Sequence, residues 1–366
     1  MADSQSTINI RQSTIIKVLV VDDSPTAREF IAHAITGPGI RVIGTASDGN
    51  EAVEFVKRIR PDVITMDIYM PGMGGLEATR RIMETNPVPI IIVSGNWDPR
   101  EVETTFLAME AGALAIVHRP QGIGHPGHEA TVRELIETLR LMSEVKVVRR
   151  WPSVRTTVAE APAPPRSLPH GEIELVAIGA STGGPPVLQT ILSGLPRDFP
   201  APVLIVQHMA TGFLQGMLDW LGETCRMPLK IAAFGENVLP GHVYFAPDGH
   251  HMGIENRNKI FLTAEAPEHG ARPSVSYLFR SVAKSYGGNA AGVLLTGMGR
   301  DGAEEMKVLK EKGAATIAQD RESSVVYGMP AAAVELGAAD YVLSPQQIPA
   351  ALRDLTKKRA FRTGTP

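Results

Sequence analysis

One cysteine, Cys225, stands in 366 residues. A lone thiol excludes an internal disulfide framework and any metal site built from several thiolates, and it suits a reducing compartment. Neither sign of charge is in excess. Against 39 Asp and Glu there are 36 Lys and Arg, a formal net charge of −3, so no general basic surface is offered and nucleic acid is not an expected partner. No run of about 18 apolar residues occurs, so no membrane insertion is expected. The polar opening MADSQSTINIRQST lacks the apolar core of a secretory signal and reads as a short disordered tail over residues 1–15. The expected location is the cytoplasm.

What is present is glycine, 35 residues of it, in a chain that is 43% hydrophobic. That suits an α/β protein with many strand-to-helix turns, and the length suffices for two ordinary domains. The clearest break is WPSVRTTVAEAPAPPRSLPH at 151–170. It is rich in proline and has no helical period, so it reads as an extended linker. The expected boundaries are one domain over 16–148, a proline-rich linker over 149–170 and a second domain over 171–360.

In the first domain short apolar strands alternate with amphipathic helices, from KVLVVDD and SPTAREFIAHAI to LAIVHRP and the helix within HEATVRELIETLRLMSEV. Ser24 is placed to cap the first helix, with Pro25 at its first position. Five strand–helix pairs in strict alternation imply a five-stranded parallel sheet of flavodoxin-like type, covered on both faces. The second domain repeats the logic with ELVAIGA, PVLIVQH, LKIAAF, AGVLLTGMG, AATIAQD and ADYVLS as strands. HVYFAPDGHHMGIENRNKIFLTAE interrupts it as a two-stranded antiparallel excursion. A doubly wound, mostly parallel α/β domain with an antiparallel hairpin is the expectation.

Functional groups in such sheets gather at the carboxyl ends of the strands. In the first domain Asp22 and Asp23 end the first strand, Asp67 the third, Ser94 the fourth and Arg119 the fifth. Three converging carboxylates repel one another, and a hard divalent cation such as Mg²⁺ relieves them. The same cation favours phosphoryl transfer onto an exposed carboxylate, because it neutralises charge on the transferring group. Singly each acid reads as a cap or a turn residue; together with a hydroxyl and a cation they do not. This domain resembles the response-regulator receiver over nearly its whole length. The resemblance implies Asp67 as phosphoacceptor, and Mg²⁺ held by Asp23, Asp67 and the Tyr69 carbonyl with Asp22 assisting. It implies Ser94 as a contact to the phosphoryl group. Receivers usually carry lysine where Arg119 stands, and often aspartate where Gly74 stands.

In the second domain LVAIGASTGGPP poses a choice between a phosphate cradle and a nucleophile mount. A dinucleotide fingerprint needs G-x-G-x-x-G and an acid at the end of the next strand. Here Ser181 fills the second glycine position, and the next strand ends in His208. As G-x-S-x-G between a strand and a helix the stretch does better: small neighbours permit a tight turn that exposes the Ser181 hydroxyl. Serine needs a base, and His208 ends the adjacent strand. LTGMGRDGA supplies the orienting carboxylate in Asp301. The order Ser, His, Asp is not that of the α/β-hydrolases. Singly, a capping serine, a strand-end histidine and a helix-capping aspartate are ordinary; jointly they favour catalysis. DGHH (Asp248, Gly249, His250, His251) lacks a matching third ligand and reads as a polar loop, and no catalytic metal is expected in this domain.

IGASTGG, QHM, LPGHVYFAP, ARPSVSYLF, LTGMGRDGA and VVYGMP, in that order and spacing, resemble the protein-glutamate methylesterase family of bacterial chemotaxis, CheB. The resemblance implies a serine hydrolase that removes methyl groups from γ-glutamyl methyl esters on chemoreceptor helices, and deamidation of receptor glutamines as a second activity. It implies nucleophile Ser181, base His208, orienting Asp301 and an oxyanion hole from the N–H groups of Thr182 and Met298. It implies a CheA-type histidine kinase as phosphodonor, and an unphosphorylated receiver that obstructs the esterase cleft. Segments 242–263 and ARPSVSYLF are expected to line that cleft, with Ser276 a candidate substrate contact. Two alternatives stand beside this reading: the same esterase serving another signalling array, and a phospho-dependent binding protein without catalysis.

Overall fold

A computed structural model of the chain describes residues 15–95, 99–145, 147 and 172–357. The tail expected over 1–15 (Ile15 apart) and the linker expected over 149–170 lie outside the described residues. Two compact units are present.

The first sheet is built from β1 (Ile16–Val21), β2 (Ile40–Ala46), β3 (Val63–Met66), β4 (Ile90–Ser94) and β5 (Ala115–His118), in the order β2-β1-β3-β4-β5. β1 runs parallel to β2 and β3, and β3 to β4. The connecting helices are α1 (Pro25–Ile35), α2 (Gly49–Arg58), α3 (Gly75–Thr85) and α4 (Pro99–Ala111), and α5 (His128–Ser143) follows β5. Val18 to Val21 and Ile90 to Val93 are continuous apolar runs because both stretches are buried on both faces of the sheet. The expected cap is present: Ser24 Oγ accepts the Ala27 N–H, with Pro25 beginning α1. Such a cap contributes about 1 kcal/mol. Gly74, by contrast, precedes α3 without any side-chain cap.

The second unit holds β6 (Leu175–Ala180), α6 (Gly184–Ser193), β7 (Val203–Gln207), α7 (Leu214–Gly222), β8 (Leu229–Ile231), β9 (Val243–Phe245), β10 (His251–Glu255), β11 (Lys259–Thr263), α8 (Val275–Ser285), β12 (Ala290–Leu294), α9 (Ala303–Glu311), β13 (Ala315–Gln319), α10 (Met329–Glu335), β14 (Tyr341–Leu343) and α11 (Ile348–Thr356). Seven of these strands form one sheet in the order β14-β13-β12-β6-β7-β9-β8, with parallel pairings throughout. The expectation for 242–263 needs correction. Only β10 and β11 form the antiparallel pair. Val243–Phe245 is a strand of the main sheet, parallel to both β7 and β8, because all three residues are apolar and fully buried between two ladders.

β6 is the pivot of this sheet. The chain leaves it for β7 on one side and returns much later as β12 on the other. The carboxyl ends of β12, β6 and β7 therefore lie side by side at a switch in strand order, which is where open α/β sheets build sites. Among the described residues no helix is long and apolar enough to cross a membrane.

Candidate functional site

β6 ends at Ala180, and Ser181 to Gly183 turn the chain into α6. Gly183 takes φ of 76°, and a Cβ there would stand 2.6 Å from Val325. Only glycine meets both demands. Gly179, two residues before the serine, lies so close to Val275 that a Cβ would fall 2.3 Å from its Cγ1. Gly179 thus lets the end of β6 close onto the start of α8, and Gly183 lets the nucleophile loop close onto Val325. Ser181 N–H donates to Thr296 O (3.0 Å), which ties the loop to the end of β12. The Thr296 hydroxyl in turn donates to Thr182 O (3.0 Å), and Val326 N–H donates to that hydroxyl (3.0 Å).

His208 follows the last residue of β7, its N–H bonded to Ala180 O (2.9 Å). Its Nε2 lies 2.9 Å from Asp301 Oδ2. The approach lacks hydrogen-bond alignment, so it is a close polar contact and not a formed hydrogen bond in this state. With Nε2 facing the carboxylate, Nδ1 is the nitrogen left to serve a hydroxyl. Ser181 Oγ has no hydrogen-bond partner among the described residues. Triads without substrate are commonly loose in this way and tighten on binding.

Asp301 is 3% exposed and braced from one side by the start of α8. Ser274 Oγ donates to its Oδ1 (2.8 Å), Ser276 N–H to Oδ1 (2.9 Å) and Val275 N–H to Oδ2 (2.7 Å). Burial pushes the carboxyl up, but the His208 contact and the Ser276 and Val275 amides outweigh it and hold Asp301 well below the usual carboxylate range. Ser276 is fully buried, and its hydroxyl accepts the Gly302 N–H (2.9 Å). The expected substrate contact at Ser276 is thereby corrected: the side chain supports the Asp301 loop. Behind it sits His251, buried, with Nδ1 accepting the Ser274 N–H (3.2 Å) and Nε2 donating to Ala266 O (3.0 Å). Both ring nitrogens serve the backbone, so His251 of the DGHH stretch is a structural histidine, stacked on Tyr277 at 4.7 Å. Asp248 likewise accepts the Gly212 N–H (2.6 Å).

The N–H groups of Thr182 and Met298 have no acceptor among the described residues, whereas that of Ser181 is committed to Thr296. Met298 lies on the turn after β12, its side chain half exposed. Gly297 holds this turn in place: it accepts the Gly328 and Met329 N–H groups, and a Cβ on it would stand 2.6 Å from Ser181 Cβ. Two unspent donors beside a serine form an arrangement able to stabilise an oxyanion. Sequence reading missed Gln207, Ser274 and Thr296. The available signal was a polar side chain at the end of an apolar strand or just before an apolar helix.

In the first unit Asp22, Asp23 and Asp67 bring one carboxylate oxygen each within 4.8 Å of one another. Asp22 and Asp67 are buried and Asp23 is exposed. Arg119 Nη2 lies 2.9 Å from Asp22 Oδ2 and 3.5 Å from Asp67 Oδ1. Burial and the neighbouring Asp22 push Asp67 up to about 7, although Arg119 and the Ile68 amide pull the other way. Asp22 is raised too, by burial above all, against the charge of Arg119. Arg119, with Arg28 donating to the Asp22 and Asp23 carbonyls, leaves three carboxylates facing two guanidinium groups, and Asp22 Oδ2 still lacks a hydrogen bond. An all-oxygen donor set short of positive charge fits a hard divalent cation. Gly75 is obligatory beside it, since a Cβ there would stand 2.0 Å from Asp67 O. Ser94 is buried and its carbonyl accepts the Arg119 N–H (2.8 Å), so the β4 and β5 ends face this cluster together. Tyr69 lies two residues past Asp67 in the β3–α3 loop, its side chain half exposed.

Known proteins share both units. The family model described as CheB methylesterase matches residues 176–352, and that described as response regulator receiver domain matches 18–125. A protein-glutamate methylesterase/protein-glutamine glutaminase of Nitrosospira multiformis is 57% identical, over 94% of this chain and 98% of its own. One so named from Geobacter metallireducens is 56% identical, over 94% and 100%. One from Syntrophus aciditrophicus is 54% identical, over 91% and 96%.

Proposed function

Since the chain belongs to the CheB methylesterase family and carries a response-regulator receiver ahead of the esterase, we propose that it is a phosphorylation-controlled protein-glutamate methylesterase and protein-glutamine glutaminase of chemotactic adaptation. Its substrates on this reading are methylated glutamates, and particular glutamines, on the helices of chemoreceptors. Its phosphodonor is a CheA-type histidine kinase, and its place is the cytoplasm. We assign the receiver to 16–148, the linker to 149–170 and the esterase to 171–360.

The observation that carries the chemistry is the His208–Asp301 contact at strand ends flanking Ser181, with Asp301 kept ionised by α8. Ser181 Oγ attacks the ester carbonyl carbon while His208 Nδ1 takes its proton. The tetrahedral oxyanion is held by the Thr182 and Met298 N–H groups. Collapse expels methoxide, which leaves as methanol with the proton from His208. Water then attacks the acyl-enzyme, giving up a proton to His208, and collapse frees the glutamate and restores Ser181. With a glutamine, ammonia leaves in place of methanol. Asp301 holds the imidazole and stabilises its protonated form.

In the receiver, Asp67 accepts the phosphoryl group. Asp22, Asp23, Asp67 and the Tyr69 carbonyl are the groups that would hold Mg²⁺, which supplies charge neutralisation at the transferring phosphoryl. Ser94 and Arg119 then contact the phosphoryl oxygens, and the altered receiver relieves its obstruction of the esterase. The test is methanol release from a methylated receptor fragment, with and without a small-molecule phosphodonor and Mg²⁺. Activity that vanishes in Ser181→Ala, and that rises with phosphodonor only when Asp67 is present, is expected. Release that persists in Ser181→Ala overturns the esterase assignment, and stimulation that persists in Asp67→Ala overturns the switch.

A further inference from the structure

Resting on the esterase reading, we propose that Gln207 is a positioning residue of the reaction, its carboxamide pinning together the two strand ends that carry the nucleophile and the base. Gln207 closes β7, pairs with Ala180 at the end of β6 and is 6% exposed. The main-chain ladder between the two strands makes its last bond from His208 N–H to Ala180 O. Beyond it the Gln207 side chain takes over. Nε2 donates to Ser181 O (2.8 Å) and to His208 O (2.8 Å), one hydrogen to the carbonyl of each residue. Both acceptors are carbonyl oxygens, so only the NH₂ end of the carboxamide can face them.

The opposite end of the group shows what this arrangement costs. Gln207 Oε1 is buried without a donor. It presses against the first residue of α6, where a Cβ on Gly184 would stand 2.1 Å from it. A buried acceptor with no partner opposes folding, and a methionine of similar length would fill the space without that penalty. A carboxamide kept where an apolar side chain would pack better points to its two donors as the reason. Ser181 O is held a second time by Gly184 N–H (2.8 Å), so the peptide after the nucleophile is gripped from both sides. Gln207 is too buried to meet substrate. Its effect is to fix the separation of the Ser181 and His208 backbones, and hence the approach of Oγ to Nδ1, where displacements well under an ångström matter.

The experiment uses the full chain as wild type, Gln207→Met and Gln207→Asn. Three quantities are followed: kcat and KM for a methyl-ester receptor peptide, the rate at which an alkyl fluorophosphonate labels Ser181, and the melting temperature. For Gln207→Met we expect a melting temperature at or above wild type, kcat lower by about tenfold or more, KM within about twofold, and labelling slowed in parallel. Gln207→Asn keeps a carboxamide too short to span both carbonyls and is expected to fall between; it carries the test if the methionine variant does not fold. Labelling of either variant as fast as wild type overturns the inference, as does a loss of kcat that merely follows a drop in melting temperature. Wild type that is labelled at Ser181 but releases no methanol overturns the substrate reading, and the labelling rates still decide the role of Gln207. Wild type that is not labelled at Ser181 overturns both.

Discussion

Asp67 and Asp301 each follow a strand of a parallel sheet and each is nearly buried, yet their surroundings drive them in opposite directions. Burial favours the neutral acid in both. Asp67 meets a second carboxylate, one arginine at 3.5 Å and a single backbone amide, and is pushed up to about 7. Asp301 meets one hydroxyl, two amides at the start of a helix and an imidazole, and is held far down. The difference lies in donor supply. A carboxylate that must stay ionised and still is given a full set of fixed donors. One that is to receive a cation and a phosphoryl group is left short of them, so that its partners arrive from outside.

Asparagine at position 301 breaks the comparison most severely. Its oxygen can satisfy Ser274 and Ser276, but its NH₂ must then face the Val275 N–H and His208, donor against donor. We expect Asp301→Asn to lower kcat for ester hydrolysis by about 10⁴-fold and to destabilise the second unit by about 1–3 kcal/mol. Activity within tenfold of wild type in a steady-state methanol assay would show that the carboxylate does not orient the base.

Much of this contrast is legible in the sequence, and the part that is not has a common cause. The strand ends were readable because buried parallel strands are apolar runs, so the first polar residue after each run stands out. Asp22, Asp67 and Ser181 announce themselves in that way, whereas His208 stands one place further on, behind Gln207. Asp301 needed one further step across a glycine-rich turn. What decides the state of Asp301 is 25 to 27 residues away in sequence, at Ser274, Val275 and Ser276. No local period encodes that meeting, and Ser276, read as a substrate contact, proved to be part of the brace. The strand β9 was misread for a similar reason: three residues are too few to display the partners on both flanks that make them a central strand.

A second way to press the comparison is pH. Asp67 is raised from its ordinary 3.8 to about 7, so the folded first unit keeps a proton that the unfolded chain releases between those values. Stability of that unit, in the absence of divalent cation, therefore falls as pH rises from about 4 to about 7 and levels off above. Asp22, also raised, adds a slope of the same sign. Mg²⁺ should raise the melting temperature by roughly 5 °C or more at pH 8 and by much less at pH 5, where Asp67 is protonated. Asp67→Asn should flatten both dependences. A Mg²⁺ gain of equal size at both pH values in differential scanning calorimetry would mean that the cation binds elsewhere.

The smallest expected effect concerns Arg119, which stands where receivers usually carry lysine. A guanidinium differs from an ammonium mainly through its fork, and here the fork is idle. The same nitrogen, Nη2, faces both Asp22 and Asp67, while Nε is buried with no acceptor. Arg119 thus acts on the cluster as a point charge. Lysine would supply that charge and remove the orphaned Nε–H. Arg119→Lys should keep phosphodonor-stimulated esterase activity within about threefold of wild type, a difference under 1 kcal/mol. Arg119→Ala should lose more, because it strips the paired positive charge from Asp22 and Asp67. If the lysine variant instead loses stimulation outright while its basal hydrolysis stands, the fork engages once the phosphoryl group is present. The contrast between the two aspartates would then sharpen: Asp67 would draw its missing donors not only from a cation but from a guanidinium held in reserve beside it.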